Sequence, residues 1–353
     1  MTELEWSVPK IKESINKLIF DWADFELKII ADRIATVGTA ELWFYHSNGK
    51  SDDSLLHTTK ANLMSTTTLN SLAKRLKENQ EDIPWQQVLT YITAHTMEYQ
   101  RRGEADILLI PDTVNISPPV YLAEPIILRG LPSVIYGDKG VNKTTLALTL
   151  LGLIQTNQTD NTLEIPIKQA QVGMLDWEAN DEVTRYTQSR LVKGNSCLSF
   201  NLPYLRCKYP LVEEIDRVAN FVSARKIQVL LIDSLGQAAG SDRFDSAGKG
   251  SAIRFFECLR QLNLTSLIIG QNAKREEGAG KTIYGSTFYT YYSRNILELK
   301  SKQDELNNDQ IHLALFHHES NYTAKSPPLG FLVSYTDTTI SIKRESLKLS
   351  EFL

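Results

Sequence analysis

The run Gly137-Asp138-Lys139-Gly140-Val141-Asn142-Lys143-Thr144-Thr145 places two glycines and a Lys-Thr pair between an apolar stretch, Pro132–Tyr136, and an apolar helix-forming one. It reads as a buried strand, a tight turn and a helix. In such a turn, backbone N–H groups and the helix N-terminus face a polyphosphate. Lys143 would reach the outer phosphates, and the Thr144 hydroxyl would hold Mg²⁺. One position departs from the pattern G-x-x-x-x-G-K-[ST], which asks for glycine where this chain has Asn142. Asparagine is among the few side chains that tolerate positive φ, so the turn can still form. It adds a side chain where backbone normally approaches phosphate.

Three further segments carry suitable chemistry, each at the end of an apolar run. Asp233 follows Val229–Ile232 and could reach Mg²⁺ through water. Its other reading is a turn cap. Asp176-Trp177-Glu178 follows the strand-like Ala170–Leu175, and Glu178 could polarise an attacking water; it could also be a helix-terminal acid. Gln271-Asn272-Ala273-Lys274 ends a fourth run and could sense a terminal phosphate. The polar, glycine-containing Arg275–Lys281 that follows suits a mobile loop. In open α/β sheets such groups collect at the carboxyl ends of strands.

The elements that must position them divide the chain. Residues 1–104 read as a small α+β accessory or interaction domain. Phe25–Ile29 and Leu42–Tyr45 would be two antiparallel strands, and Thr68–Asn79 and Trp85–Arg102 two helices. Residues 105–131, with Pro111, Pro118, Pro119 and Pro125, read as a linker or a wrapping extended segment. From 132 to 345, strand and helix patterns alternate, which implies a mainly parallel sheet with helices on both faces. Its last strands, within Ser293–Lys343, are expected to be antiparallel. Residues 346–353 form a C-terminal tail.

Composition narrows the class. A chain of 353 residues, 42% hydrophobic and 23% charged, is ordinary for a globular α/β protein. A net charge of −4 excludes a global basic field, so any nucleic-acid contact must be local. Three cysteines without CxxC spacing fit buried reduced thiols better than zinc. The acidic start lacks a signal-peptide core, and no run is long enough to span a bilayer, so a cytoplasmic protein without membrane partner is expected.

Taken in order, the motifs resemble the RecA-like P-loop ATPases, and most closely the branch related to the RepA hexameric replicative helicase, found among phage-type and mobile-element ATPases. The resemblance rests on Tyr136–Thr144, Leu175–Glu178, Leu231–Ser234 and Gln271–Lys274. It extends to Gly285-Ser286-Thr287-Phe288 up to Ser293-Arg294-Asn295, and to Phe316–Asn321 with Pro327–Gly330. It implies a RecA-like P-loop NTPase core after the α+β domain. It also implies ATP and Mg²⁺ as cofactors and a ring or filament of identical subunits. Lys143, Glu178 (catalytic glutamate), Asp233 (Walker B), Gln271 (γ-phosphate sensor) and Arg294 would be catalytic. Arg294 would act as an arginine finger on a neighbouring subunit, unless it is simply a surface residue. Gly137 through Thr145 would bind the nucleotide, and Thr144 and Asp233 the metal. Gln271-Asn272 departs from the His-His often found there.

Other features have plainer readings. His317 and His318, neighbours on a strand, face opposite ways and cannot easily share a metal. Tyr289, Tyr291 and Tyr292 could stack on bases or pack in a core or interface. Lys274, Arg275 and Lys281 could meet a phosphate backbone or solvent. Three functions follow: an ATP-driven motor on nucleic acid, with single-stranded DNA favoured; an ATP-gated assembly module with slow or no hydrolysis because of Asn142, recruiting a protein through residues 1–104; and an ATPase acting without nucleic acid, as in KaiC-like clocks.

Overall fold

The computed structural model of the protein describes residues 8–14, 17–34, 38–46, 54–102, 108–111, 113–116, 118–240, 249–272 and 287–352. The chain forms two compact units, Met1–Val114 and Asn115–Leu353, so their division falls within the proline-rich 105–131 stretch.

Among the described residues of the first unit, a five-stranded antiparallel meander runs β1 (Lys10–Ser14), β2 (Lys17–Trp22), β3 (Leu27–Asp32), β4 (Thr39–His46) and β5 (Ser54–Asn62). Alternation fixes its buried face: Leu18, Phe20, Trp22, Leu27, Ile29, Leu42 and Phe44 are all essentially inaccessible. The helices α1 (Thr66–Lys77) and α2 (Trp85–Arg102) follow the strands. Ser65 caps α1 by accepting from Thr68 N. Leu72, Leu76, Trp85, Leu89 and Ile92 share the core with the sheet. Leu27–Ile29 and Leu42–Tyr45 are strand as expected, but Phe25 ends a short 3-10 turn and Glu26 is left-handed, so the first of these strands begins only at Leu27; β1, β2 and β5 are additional, because their lysine- and threonine-rich stretches hide the alternation.

The second unit begins with the short hairpin β6 (Tyr121–Ala123) and β7 (Ile127–Leu128). Its residues are buried, and Asn295 Nδ2 donates to Pro125 O (2.9 Å) and Ile126 O (2.8 Å). This part of the proline-rich stretch is therefore packed against the unit. The main elements follow as β8 (Pro132–Gly137), α3 (Lys143–Thr156), β9 (Val172–Asp176), α4 (Asp181–Gly194), β10 (Tyr204–Arg206), α5 (Leu211–Arg225), β11 (Val229–Asp233), α6 (Leu235–Ala239), α7 (Lys249–Leu262), β12 (Thr265–Gln271), α8 (Thr287–Tyr292), β13 (Asn295–Gln303), β14 (Gln310–Ser320), β15 (Leu329–Tyr335) and β16 (Ile340–Glu345).

The nine-stranded sheet has the order β10-β9-β11-β12-β8-β13-β14-β15-β16. From β10 to β13 neighbours are parallel; from β13 to β16 they are antiparallel. This is an α/β architecture, a mainly parallel sheet with antiparallel strands at its C-terminal side, as expected. The last strands are antiparallel to one another as expected, but β13 itself runs parallel to β8. Helix α3 is buried on every side, with Leu146, Leu150, Leu151, Leu153 and Ile154 at 0% exposure, as an all-round apolar helix requires. Its start is thereby fixed beneath the end of β8.

Candidate nucleotide site

Parallel pairing puts four strand ends on one edge of the sheet. Gly137 of β8 is opposite Gln271 of β12, and Asp233 of β11 is opposite Ile269 of β12 and Asp176 of β9. One strand, β12, thus separates the glycine-turn strand from the Asp233 strand. Two glycines shape the turn. A Cβ at Gly137 would lie 2.3 Å from the Leu299 carbonyl oxygen, and Gly140 has φ +82°. Asn142 also takes the left-handed region, φ 64°, so the residue that breaks the glycine pattern adopts the conformation glycine would supply.

The turn presents its lysine inward. Lys143 is 8% exposed, and its Nζ donates to Gly137 O (3.0 Å) and Asp138 O (2.7 Å). Burial lowers its pKa, while Asp233, Glu178 and Asp138 oppose that shift. Thr144 Oγ1 donates to Asp233 Oδ2 at 2.6 Å. Asp233 is buried, and its pKa is pushed up to about 6, first by burial and then by the nearby carboxylates Glu178 and Asp176, against the Thr144 bond and Lys143.

Glu178 sits across from this pair, on the loop between β9 and α4. Asp176 builds that loop rather than entering the chemistry. It is 1% exposed, and its oxygens accept from Glu178 N (2.9 Å), Ala179 N (2.9 Å), Thr184 Oγ1 (3.2 Å) and Tyr204 OH (3.1 Å). Asn180 then caps α4 by accepting from Val183 N at 2.9 Å. Glu178 Oε1 accepts from Ser234 Oγ and from Gln271 Nε2 (3.2 Å). Asn272 Nδ2 donates to Asp138 Oδ1 at 2.7 Å, tying the end of β12 to the turn.

These groups line one cavity of about 260 Å³, with Lys139–Thr145, Glu178, Asp233, Ser234, Ile269 and Gln271 around it. That is slightly below the roughly 300–1,000 Å³ of whole small-molecule pockets. A cavity of about 350 Å³ by Asp304, His312, Glu345 and Phe352 is larger. Neither a glycine turn nor a buried lysine lines it, so chemistry and not size selects the smaller one. Thr144 and Asp233 form an all-oxygen pair with Glu178 nearby, the donor type a hard divalent cation takes. The buried Asp233 carboxylate, with Glu178 and Asp176 nearby, is negative charge that such a cation would balance.

Arg294 is not brought to this cavity. It precedes β13, where Arg294 N donates to Pro132 O and Nη1 to Tyr291 O (2.8 Å), at the opposite edge of the sheet. His317 is buried and its Nδ1 accepts from Ser326 N (3.1 Å), while His318 Nε2 meets Glu298 Oε2 (2.9 Å). Among the described residues, no group of three or more His, Cys, Asp or Glu side chains could hold a metal. Tyr289 is buried and Tyr292 stacks near Phe256, whereas Tyr291 is 70% exposed. Ala273, Lys274, Arg275–Lys281 and Gly285-Ser286 lie outside the described residues, as do Gly103 and Ser47–Lys50. Two contributors went unread in the sequence. Ser234 was visible beside Asp233; Tyr335, whose hydroxyl donates to Asn142 Oδ1, carries no local signal, lying 193 residues from its partner.

Comparison with known proteins follows this geometry. The family model described as an AAA domain matches residues 112–277, just under half of the chain. That span holds the glycine turn, Glu178, Asp233 and Gln271. The match supports an ATP-binding P-loop ATPase. The crystal structure of a KaiC-like protein from the hyperthermophilic archaeon Pyrococcus horikoshii OT3 is similar at 13% identity, over 63% of this chain and 93% of that one, with a TM-score of 0.44. No curated protein matches the chain. Among the described residues no helix is long and apolar enough to cross a membrane.

Proposed function

We propose that the protein hydrolyses ATP with Mg²⁺ as a RecA-like homo-oligomeric motor. Hydrolysis would be coupled to movement along, or remodelling of, nucleic acid, with single-stranded DNA the favoured polymer. A protein partner would be engaged through residues 1–104. The observation that carries the reading is the convergence of Lys143, the Thr144–Asp233 pair and Glu178 on one cavity.

In this reading the turn's N–H groups and Lys143 hold the phosphate chain, and Lys143 leaves its two carbonyl partners to do so. Thr144 and Asp233 would hold Mg²⁺, which would supply charge neutralisation at the phosphate oxygens. Glu178 accepts the proton of the attacking water, and Ser234 and Gln271 fix the carboxylate until water arrives. Gln271 reports the terminal phosphate. Arg294 acts on the nucleotide of a neighbouring copy, which makes the oligomer a requirement.

Asn142 favours a second reading, in which ATP is held but scarcely turned over and binding orders an assembly. Turnover of wild type, Lys143→Ala and Asn142→Gly, with and without single-stranded DNA and alongside native mass, separates the two. Turnover in wild type that is lost in Lys143→Ala and raised by single-stranded DNA supports the motor. No turnover in wild type, restored in Asn142→Gly, refutes it. Turnover that ignores nucleic acid, with no salt-sensitive binding, removes the polymer from the proposal.

A further inference from the structure

Asn142 is held from a distant strand. Its Oδ1 accepts from the Tyr335 hydroxyl and from Thr145 Oγ1, the latter at 3.4 Å. Its Nδ2 is enclosed and has no hydrogen-bond partner. An unpaired buried donor is costly, and Asn142 lines the cavity where the phosphate chain would lie. A phosphate oxygen is the acceptor this amide lacks.

Tyr335 is itself well fixed at the end of β15. The Arg190 guanidinium carbon lies 5.7 Å from its ring centroid and 5.3 Å from that of Tyr186. Arg190 Nη2 also donates to Thr336 O and Thr339 O, in the turn that follows. Burial raises the Tyr335 pKa, so its hydroxyl stays a donor. The phenol can therefore hold the amide oxygen on one side and leave the amide nitrogen for the other.

We propose that Tyr335 is a positioning residue for nucleotide: it orients the Asn142 amide so that Nδ2 donates to the phosphate chain. Asparagine at the glycine position is then a ligand and not an obstruction. This inference rests on the cavity being a nucleotide site, and the two claims fail differently.

The test titrates the full chain with a fluorescent ADP analogue, comparing wild type, Lys143→Ala, Asn142→Gly, Tyr335→Phe and the Asn142→Gly/Tyr335→Phe double variant. Hydrogen bonds to charged groups imply roughly 10-fold weaker binding in each of Asn142→Gly and Tyr335→Phe. Because Tyr335 acts through Asn142, the double variant should bind no more weakly than Asn142→Gly alone. A merely structural role for Tyr335 would instead give effects that multiply, and that result overturns the inference. So does an Asn142→Gly variant that binds as tightly as wild type or more tightly. Asn142→Asp provides an independent arm: it keeps the acceptor for Tyr335 but removes the donor, so undiminished binding by it also overturns the inference. Wild type that binds no better than Lys143→Ala overturns the nucleotide site itself.

Discussion

Replacing Asp233 by asparagine should disable the site and stabilise the nucleotide-free protein. The carboxyl is buried 6% exposed beside Glu178, and its pKa rises from 3.8 to about 6. A folded pKa above the unfolded one means that the native state favours the proton. The linked stability is fully present below the unfolded value and is lost as pH rises through the folded one. Above that, a shift of about two units corresponds to roughly 3 kcal/mol of destabilisation by the buried charge. Asparagine keeps an oxygen for Thr144 and removes the charge. In a unit of this size, about 3 kcal/mol is worth roughly 6–12 °C in melting temperature. The assay is thermal unfolding of wild type and Asp233→Asn in chelator, without nucleotide, at about pH 8 and about pH 4.5, where the calculated advantage shrinks to roughly 1 kcal/mol. Addition of Mg²⁺ and ATP should then raise the melting temperature of wild type but not of the variant. An Asp233→Asn protein that is less stable at high pH, or whose advantage is the same at both, refutes the argument.

Three further outcomes follow from the same geometry. Glu178→Gln keeps a hydrogen-bonding group between Ser234 and Gln271 but has no base, so ATP binding should persist while turnover falls about 10²–10⁴-fold; equal losses in both would remove the glutamate from the chemical step. Arg294→Ala should lower turnover without lowering nucleotide affinity, and mixing it with Lys143→Ala should recover part of the activity through mixed interfaces. Absence of any recovery, with both variants assembled, speaks against action on a neighbour. His312 lies between Asp304 (2.9 Å) and Glu345 (2.9 Å), and the Asp304 and Glu345 hydrogen bonds hold its pKa above 6.5 against burial. Its contribution is fully present below the unfolded pKa and lost as pH rises through the folded one, so the urea-stability deficit of His312→Gln should narrow between about pH 6 and about pH 9. A constant deficit would mean that packing and not charge is at stake.

The parallel core was legible because its central strands carry short apolar runs that lead into polar or glycine-containing ends. Val229–Ile232 with Asp233 is the clearest, and all five residues of β11 are buried. Such runs need no partner to be recognised. The first unit was harder: β1 and β2 begin at lysines, and β5 has Ser54, Leu55, Thr58, Lys60 and Asn62 at its exposed positions, so alternation is masked by the composition of the open face. Pro125 disguised β6 and β7 in the same way, since proline reads as a break while the hairpin's apolar residues are buried on both sides of it. For the site, spacing along the chain put Lys143 and Thr144 after one strand and Glu178, Asp233 and Gln271 at or just past the ends of three others, and the structure brings the five to one cavity. The role of Asp176 as a scaffold depends on Thr184 and Tyr204 coming to it from α4 and β10, which no local pattern announces.

The antiparallel extension has a consequence for how the site is tuned. In a wholly parallel sheet the glycine turn would be contacted by the ends of its neighbours alone, here Gln271 of β12 and Asn272 just after it. Because β14 reverses direction and β15 reverses again, β15 runs parallel to β13 and β8, and its last residue, Tyr335, emerges at the same edge as the turn. The turn is therefore held at two points: Asp138 by Asn272 and Asn142 by Tyr335. Glycine at position 142 would have left the second tie without a partner. Asparagine supplies the left-handed φ and an acceptor for the strand together, so the departure from the glycine pattern and the reach of β15 are parts of one arrangement. Shortening the β15–β16 turn should then disturb nucleotide affinity as Tyr335→Phe does, although no residue of that turn lines the cavity.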